Sequence, residues 1–191
     1  MVSRLKVQDL GLAGVLEISL DTHRDTRGFF SEIHSPKLLE IFGVESLKQS
    51  NFSESHKDVF RGLHLQLPPF EQGKLVCCVA GAISDFVLDP NSASPTFGRV
   101  IKVELSESKR SALWVPGKYA HGFLSKQEGT KVLYFVSNPW NQDHERGINP
   151  RSTAVSDYVN LDDTLMSQKD ITSYSLEEAS KEIAALESRE S

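Results

Sequence analysis

The sequence predicts a mainly β domain, a sandwich or barrel with one short helix in its N-terminal part and another at its C-terminal end. Runs of β-type residues recur along the chain, bounded by Gly, Pro, Asn and Ser clusters, at the spacing of antiparallel sandwiches and barrels. Helical patterning is confined to two segments. The length, 191 residues with 39% hydrophobic and 25% charged, suits one well-buried domain and is short for two.

In chain order, the runs GVLEISL and GFFSEIH come first. A short helix follows: Ser35 stands at its N-cap, Pro36 takes the first position, Leu38, Leu39 and Phe42 form an apolar face, and Gly43 ends it. Then come VFRGLHLQL, KLVCCVAG, AISDFVLD, FGRVIKVEL, SALWVP, HGFLS and TKVLYFVS, each read as a strand. The last element is the helix near 175–189 in SLEEASKEIAALESRE, with Ser175 and Glu178 as a capping box. Its Leu176, Ala179, Ile183 and Leu186 share one side, so it is expected to pack outside the β body, its acidic face solvated. No repeat, low-complexity tract or linker divides the chain, and a single domain over 1–191 is expected.

Composition excludes several roles. No apolar stretch approaches the roughly 20 residues of a membrane span, and MVSRLKVQDLGLAG lacks a signal-peptide core, so the expected compartment is the cytoplasm. The formal net charge of −5, without a basic run, argues against nucleic acid. Cys77 and Cys78 are adjacent on a strand and point to opposite faces, which suits small hydrophobes and neither a disulfide nor a metal site.

The chemistry-bearing stretch is RGLHLQ, Arg61 to Gln66. Regular alternation would put Arg61, Leu63 and Leu65 on one face and Gly62, His64 and Gln66 on the other, with Arg61 at the mouth of a polar interior. A second stretch, VPGKYAHGF, resembles the cupin motif in which a Pro-Gly turn leads to an inward histidine, here His121. The companion cupin motif pairs two histidines and a glutamate around a metal; in this chain Gln66 replaces the second histidine, with Glu71 after it. A neutral amide is a poor substitute for imidazole, so no metal is expected. Acid–base chemistry then fits the remaining groups. His64 is the candidate base, Tyr134 the candidate acid, Lys74 a cation able to stabilise an enolate, and Arg61 a fork for phosphate. Taken singly, each has a plainer reading, as a core histidine, a packing ring or a solvated lysine, and it is their company that favours function. His23, His34, His56 and His144 lack that company and read as surface or structural.

DTRGFFSE, KQSNFSES, FRGLHLQLPPFEQGKLV, VAGAISDFVLD, SPTFG, WVPGKYAHGF, VLYFVSNPW, HERG and SQKD occur in the order of the dTDP-4-dehydrorhamnose 3,5-epimerase family, which the chain resembles from about Gly14 to about Leu176. The resemblance implies a cupin-type double-stranded β-helix jelly roll, no cofactor, a homodimer, and a nucleotide-linked 4-keto-6-deoxy sugar as substrate. It also implies residue roles. His64 resembles the base, Asp170 the carboxylate orienting it, Tyr134 the acid, and Lys74 the residue facing the keto oxygen. His121 and Asp85 resemble cavity wall, and Gln66 falls beside them. Arg27, Glu32, Gln49, Asn51, Arg61, Glu145 and Lys169 match positions that hold the nucleotide diphosphate, some from a partner subunit, with Arg27 reaching a neighbour's site.

Three departures set limits. Trp140 stands where the family usually has a tyrosine on the thymine ring, and Leu65 where an aromatic is common. Residues 147–163 lack the usual tryptophan-rich segment, which helps close the sugar end of the site. Two alternatives therefore stand beside double inversion: a 3-epimerase or keto-isomerase on a related nucleotide sugar, and a non-catalytic sugar-nucleotide binding cupin.

Overall fold

The computed structural model describes residues 6–190, with side chains described as far as Leu186. Residues 1–5 and 191 of the expected domain, and the side chains at the end of the C-terminal helix, lie outside the described residues. Thirteen strands occur in order: β1 (Lys6–Asp9), β2 (Leu16–Ser19), β3 (Thr22–Asp25), β4 (Gly28–Ser31), β5 (Gln49–Ser55), β6 (Phe60–Gln66), β7 (Lys74–Ala80), β8 (Ala82–Leu88), β9 (Val100–Ser106), β10 (Ser111–Val115), β11 (Ala120–Ser125), β12 (Thr130–Val136) and β13 (Glu145–Gly147). Three α-helices accompany them, α1 (Pro36–Phe42), α2 (Gln168–Ile171) and α3 (Leu176–Glu190).

The strands form two facing sheets, in the orders β1-β2-β10-β7-β12-β5 and β13-β6-β11-β8-β9, with β3 and β4 as a separate hairpin. All these pairings are antiparallel. This is the jelly roll that the strand count and the cupin resemblance predict.

Alternation along the strands explains the layers. On β7, Val76 and Cys78 enter the core between the sheets, where they meet Val87, Leu113, Phe123 and Val132. Leu75 and Cys77 face the other way, under Leu38 and Phe42 of α1. The two cysteines are free, as their spacing predicts. A third apolar layer covers the outer face of the second sheet, where Leu63, Leu65 and Phe86 pack on Ile148, Val155, Leu161 and the α3 residues Leu176, Ala179 and Ile183.

Both predicted helices form where expected, with one correction. Ser35 occupies the N-cap of α1, but its hydroxyl makes no capping bond; its backbone carbonyl accepts from Leu38 and Leu39 instead. Gly43 ends the helix in the left-handed region, at φ 69°. At α3 the capping box is complete, since Ser175 Oγ accepts from Glu178 N and the Glu178 carboxylate accepts from Ser175 N.

Strands β1, β3, β5 and β13 and helix α2 add to the elements read from the sequence. In β5 the inward residues, Gln49, Asn51 and Ser53, are polar while Phe52 is 61% exposed, so the usual hydrophobic-in signal is inverted.

Candidate active site

Between the sheets lies a cavity of about 760 Å³, a size that suits a small-molecule substrate. The second sheet contributes Arg61, His64 and Gln66 from β6, His121 from β11 and Glu145 from β13. The first sheet contributes Lys74 from β7, Tyr134 from β12, and Gln49 and Asn51 from β5. Trp140 stands on the rim at 53% exposure, and α2 supplies Lys169 and Asp170.

Arg61 and His64 need a correction to regular alternation. In the β6–β11 ladder His64 pairs with His121 and Arg61 with Phe123, so Gly62 and Leu63 together oppose Gly122. The extra residue is a β-bulge, and it turns Arg61 to the same side as His64, away from Leu63 and Leu65. Gly62 is required there. Its φ is 110°, and a Cβ would lie 2.7 Å from the His121 carbonyl. Arg61 donates from Nε to Ser55 Oγ at 3.0 Å and from Nη2 to the Glu54 carbonyl at 3.1 Å, which fixes the fork and leaves Nη1 available to an oxyanion.

The candidate base is built from two distant segments. His64 Nε2 lies 2.6 Å from Asp170 Oδ1. Burial works to raise the Asp170 pKa, but the His64 hydrogen bond and charge, with support from Ser167 and the Gly62 backbone, hold it below the ordinary value. An ionised Asp170 accepts from Nε2–H, which leaves Nδ1 as the basic nitrogen. Ser167 caps α2 by accepting from Asp170 N at 3.1 Å, so the carboxylate sits on a fixed turn. Gly147 gives that turn room, because a Cβ there would come 2.2 Å from Ser173 Oγ.

Across the cavity, burial raises the Tyr134 pKa and Glu145 adds to the rise, against a pull down from Arg61. The phenol therefore keeps its proton at neutral pH, as an acid must. Lys74 is 6% exposed and donates to the carbonyls of Gln72 at 3.3 Å and His64 at 3.5 Å. Burial lowers its pKa to about 8, with Glu145 and Asp85 opposing the fall.

Asp85 is placed one layer deeper than the expected wall. It is fully buried behind His121, whose Nε2 lies 2.8 Å from Asp85 Oδ1. Burial raises the Asp85 pKa, and His121 and Lys74 pull against it. At the rim, Lys169 Nζ and Glu145 Oε2 are 2.5 Å apart. Burial works to raise the Glu145 pKa, but Lys169 and Trp140 hold it below the ordinary value.

Two further expected residues lie outside the cavity of their own chain. Arg27 sits at the turn of the β3–β4 hairpin, 88% exposed at its side chain and paired with Asp25, and Glu32 is exposed just beyond β4. None of residues 147–163, which stand where the family's usual segment helps close the site, lines the cavity, and Val155 and Leu161 pack on the outer face of the second sheet. The residues that follow, Leu165, Met166 and Ser167, do line the cavity. Sequence reasoning passed over Ser53, Gln72 and Ser167. Ser167 was legible as the cap of a Ser-x-x-Asp turn, whereas Ser53 lies on β5, whose polar inward face hides the strand.

A cupin barrel whose cavity sets a carboxylate-held imidazole against a protonated phenol, with a buried lysine in the same cavity, defines a class of isomerase that moves protons on carbon. Comparison narrows the class. The sequence model described as dTDP-4-dehydrorhamnose 3,5-epimerase matches residues 9–178, and the chain belongs to that family. The dTDP-4-dehydrorhamnose 3,5-epimerase of Sinorhizobium fredii is 34% identical over 172 residues, 88% of each chain. Among solved structures, NovW, a 4-keto-6-deoxy sugar epimerase from the novobiocin gene cluster of Streptomyces spheroides, superposes with a TM-score of 0.87 at 30% identity, covering 94% of this chain and 92% of that one. ChmJ, a 3'-monoepimerase from Streptomyces bikiniensis solved with dTDP-quinovose, gives 0.83 at 28% identity over 93% and 90%.

Proposed function

We infer that the protein inverts C3 and C5 of dTDP-4-keto-6-deoxyglucose, by removing and returning the proton at each carbon beside the ketone. The observation that carries this reading is the placement of His64 and Tyr134 on different sheets around one cavity. A base on one wall and an acid on the other are what inversion needs, since the proton must return from the face opposite its departure. His64 Nδ1 takes the proton, the C–H electrons move toward C4, and the Lys74 ammonium faces the enolate oxygen as its charge develops. Tyr134 then delivers a proton to the other face, and solvent returns both groups to their starting states.

Arg61 would hold the diphosphate and Trp140 the thymine, whose flat ring an indole can stack on. No metal enters this scheme, because Lys74 polarises the ketone. Gln66, the replacement for a metal-binding histidine, has its amide engaged by backbone groups on both sides. The position of residues 147–163 outside the cavity weakens the motive for single inversion.

The homodimer belongs to the same reading: Arg27 and Glu32 cannot act in their own cavity as placed, and the hairpin exposes Phe29 at 59% and Phe30 at 69%. No helix among the described residues is long and apolar enough to cross a membrane. Two free, buried cysteines accord with a reducing compartment such as the cytoplasm. The test is turnover of dTDP-4-keto-6-deoxyglucose after dialysis against a strong chelator, with the product assigned by NMR. Conversion to dTDP-4-keto-rhamnose at the undialysed rate is expected. A large loss restored by zinc, iron or manganese would overturn the metal-free scheme.

A further inference from the structure

We propose that Gln66 is a positioning residue for nucleotide binding, and that it acts by clamping the loop that presents Trp140 at the cavity rim. Gln66 is 3% exposed, and its amide meets three backbone groups from two loops. Nε2 donates to the Phe70 carbonyl at 2.7 Å and to the Pro139 carbonyl at 3.2 Å, while Oε1 accepts from Asn141 N at 2.8 Å. The last two contacts bracket Trp140, one residue to either side. A primary amide carries two donor hydrogens and an acceptor oxygen on separate atoms, so the Gln66 side chain can grip two carbonyls and one N–H at the same time.

The clamp is continued on the other sheet. Trp140 N donates to Gln49 Oε1 at 3.1 Å, and Gln49 Nε2 donates to Asn51 Oδ1 at 2.8 Å. The backbone of the loop bearing the exposed indole is thus tied to β6 and β5 at once, which sets where Trp140 stands on the rim. The ends of the sugar cavity and the nucleotide platform meet at Gln66, two residues from His64 on the same strand. Loss of the clamp should therefore cost binding, while the His64, Tyr134 and Lys74 chemistry stays in place.

This inference rests on the reading of Trp140 as the nucleotide platform, and the experiment separates the two. In the full-length protein, Gln66→Met keeps the length of the side chain and removes its polar atoms; Gln66→Glu keeps an acceptor for Asn141 N and loses both donors. For Gln66→Met the clamp predicts about tenfold faster amide exchange at Trp140 and Asn141, with β7 and β8 unchanged, and a KM for dTDP-4-keto-6-deoxyglucose raised about tenfold with kcat nearly unchanged. Gln66→Glu should raise KM and speed exchange at Trp140 in the same way while sparing Asn141, whose acceptor it keeps, and it decides the matter should the methionine variant fail to fold. Titration with thymidine diphosphate, followed by the fluorescence of exposed Trp140 against buried Trp114, reports whether the nucleotide reaches the platform. Unchanged exchange at Trp140 and Asn141 would overturn the clamp whatever the kinetics. Faster exchange with unchanged KM and unchanged diphosphate affinity would overturn its role in binding, and an indole indifferent to thymidine diphosphate in the unsubstituted protein would overturn the platform reading itself.

Discussion

His64 and Asp170 are 106 residues apart in sequence and 2.6 Å apart in the cavity, and each is held by a separate device. The bulge at Gly62 sets the direction of β6 around His64, and the Ser167 cap sets the α2 turn that carries Asp170. In the proposed scheme the carboxylate fixes which imidazole nitrogen is bare and stabilises the charge that imidazole acquires.

Asp170→Asn should therefore reduce kcat by about 100-fold or more and leave KM within a few fold, because the substitution touches proton abstraction and not the nucleotide. Steady-state kinetics with thymidine diphosphate affinity as a control checks this. An equal loss in diphosphate affinity would point to a structural role.

Tyr134→Phe should separate exchange from inversion. His64 can still remove a proton and return it to the face it left, so substrate hydrogen continues to exchange with solvent while inverted product slows by about 100-fold. Exchange and inversion lost in equal proportion would contradict the assignment of Tyr134 as acid.

Lys74 gives two pH dependences. Its pKa is lowered by burial from 10.5 to about 8, so kcat should fall as pH rises through about 8 and the ammonium is lost. Stability should move the other way. Between about 8 and 10.5 the unfolded chain keeps a proton that the folded chain has released, so unfolding free energy rises with pH there, by roughly 3 kcal/mol at most. Below about 8 both states are protonated and the burial penalty is fully present. Lys74→Met should abolish both trends, as read by denaturant titration and by pH profiles.

Arg27 can be tested by mixing. If it serves the partner's cavity, inactive His64→Ala dimers exchanged with Arg27→Ala dimers should regain about a quarter of full activity, since half the dimers are then mixed and each holds one sound site. No recovery, or fully active monomers in sedimentation, would contradict the shared site.

The strand frame was legible because hydrophobic alternation is a local signal, and β7 shows it plainly, with Val76 and Cys78 inward and Leu75 and Cys77 outward. β5 was not read as a strand because its inward face carries the polar residues of the cavity, which inverts that signal. The bulge at Gly62 was hidden for a different reason. Two residues opposing one is a property of the ladder with β11; Gly62 inside the run was the one local hint of it, and it does not say which residue changes face. The Gln66 clamp was hidden likewise, since its partners at Phe70, Pro139 and Asn141 are set by tertiary structure.

The central claim is that one base and one acid invert two carbons beside the ketone, and turnover in heavy water tests it most directly. Each epimerisation replaces the hydrogen on its carbon with deuterium, so NMR of the product counts and places the events. Deuterium at both C3 and C5, in a product of inverted configuration at each, is the result predicted here. Deuterium confined to C3 would restrict the protein to single inversion, and none at either carbon, with the nucleotide sugar bound, would contradict catalysis by His64 and Tyr134 altogether.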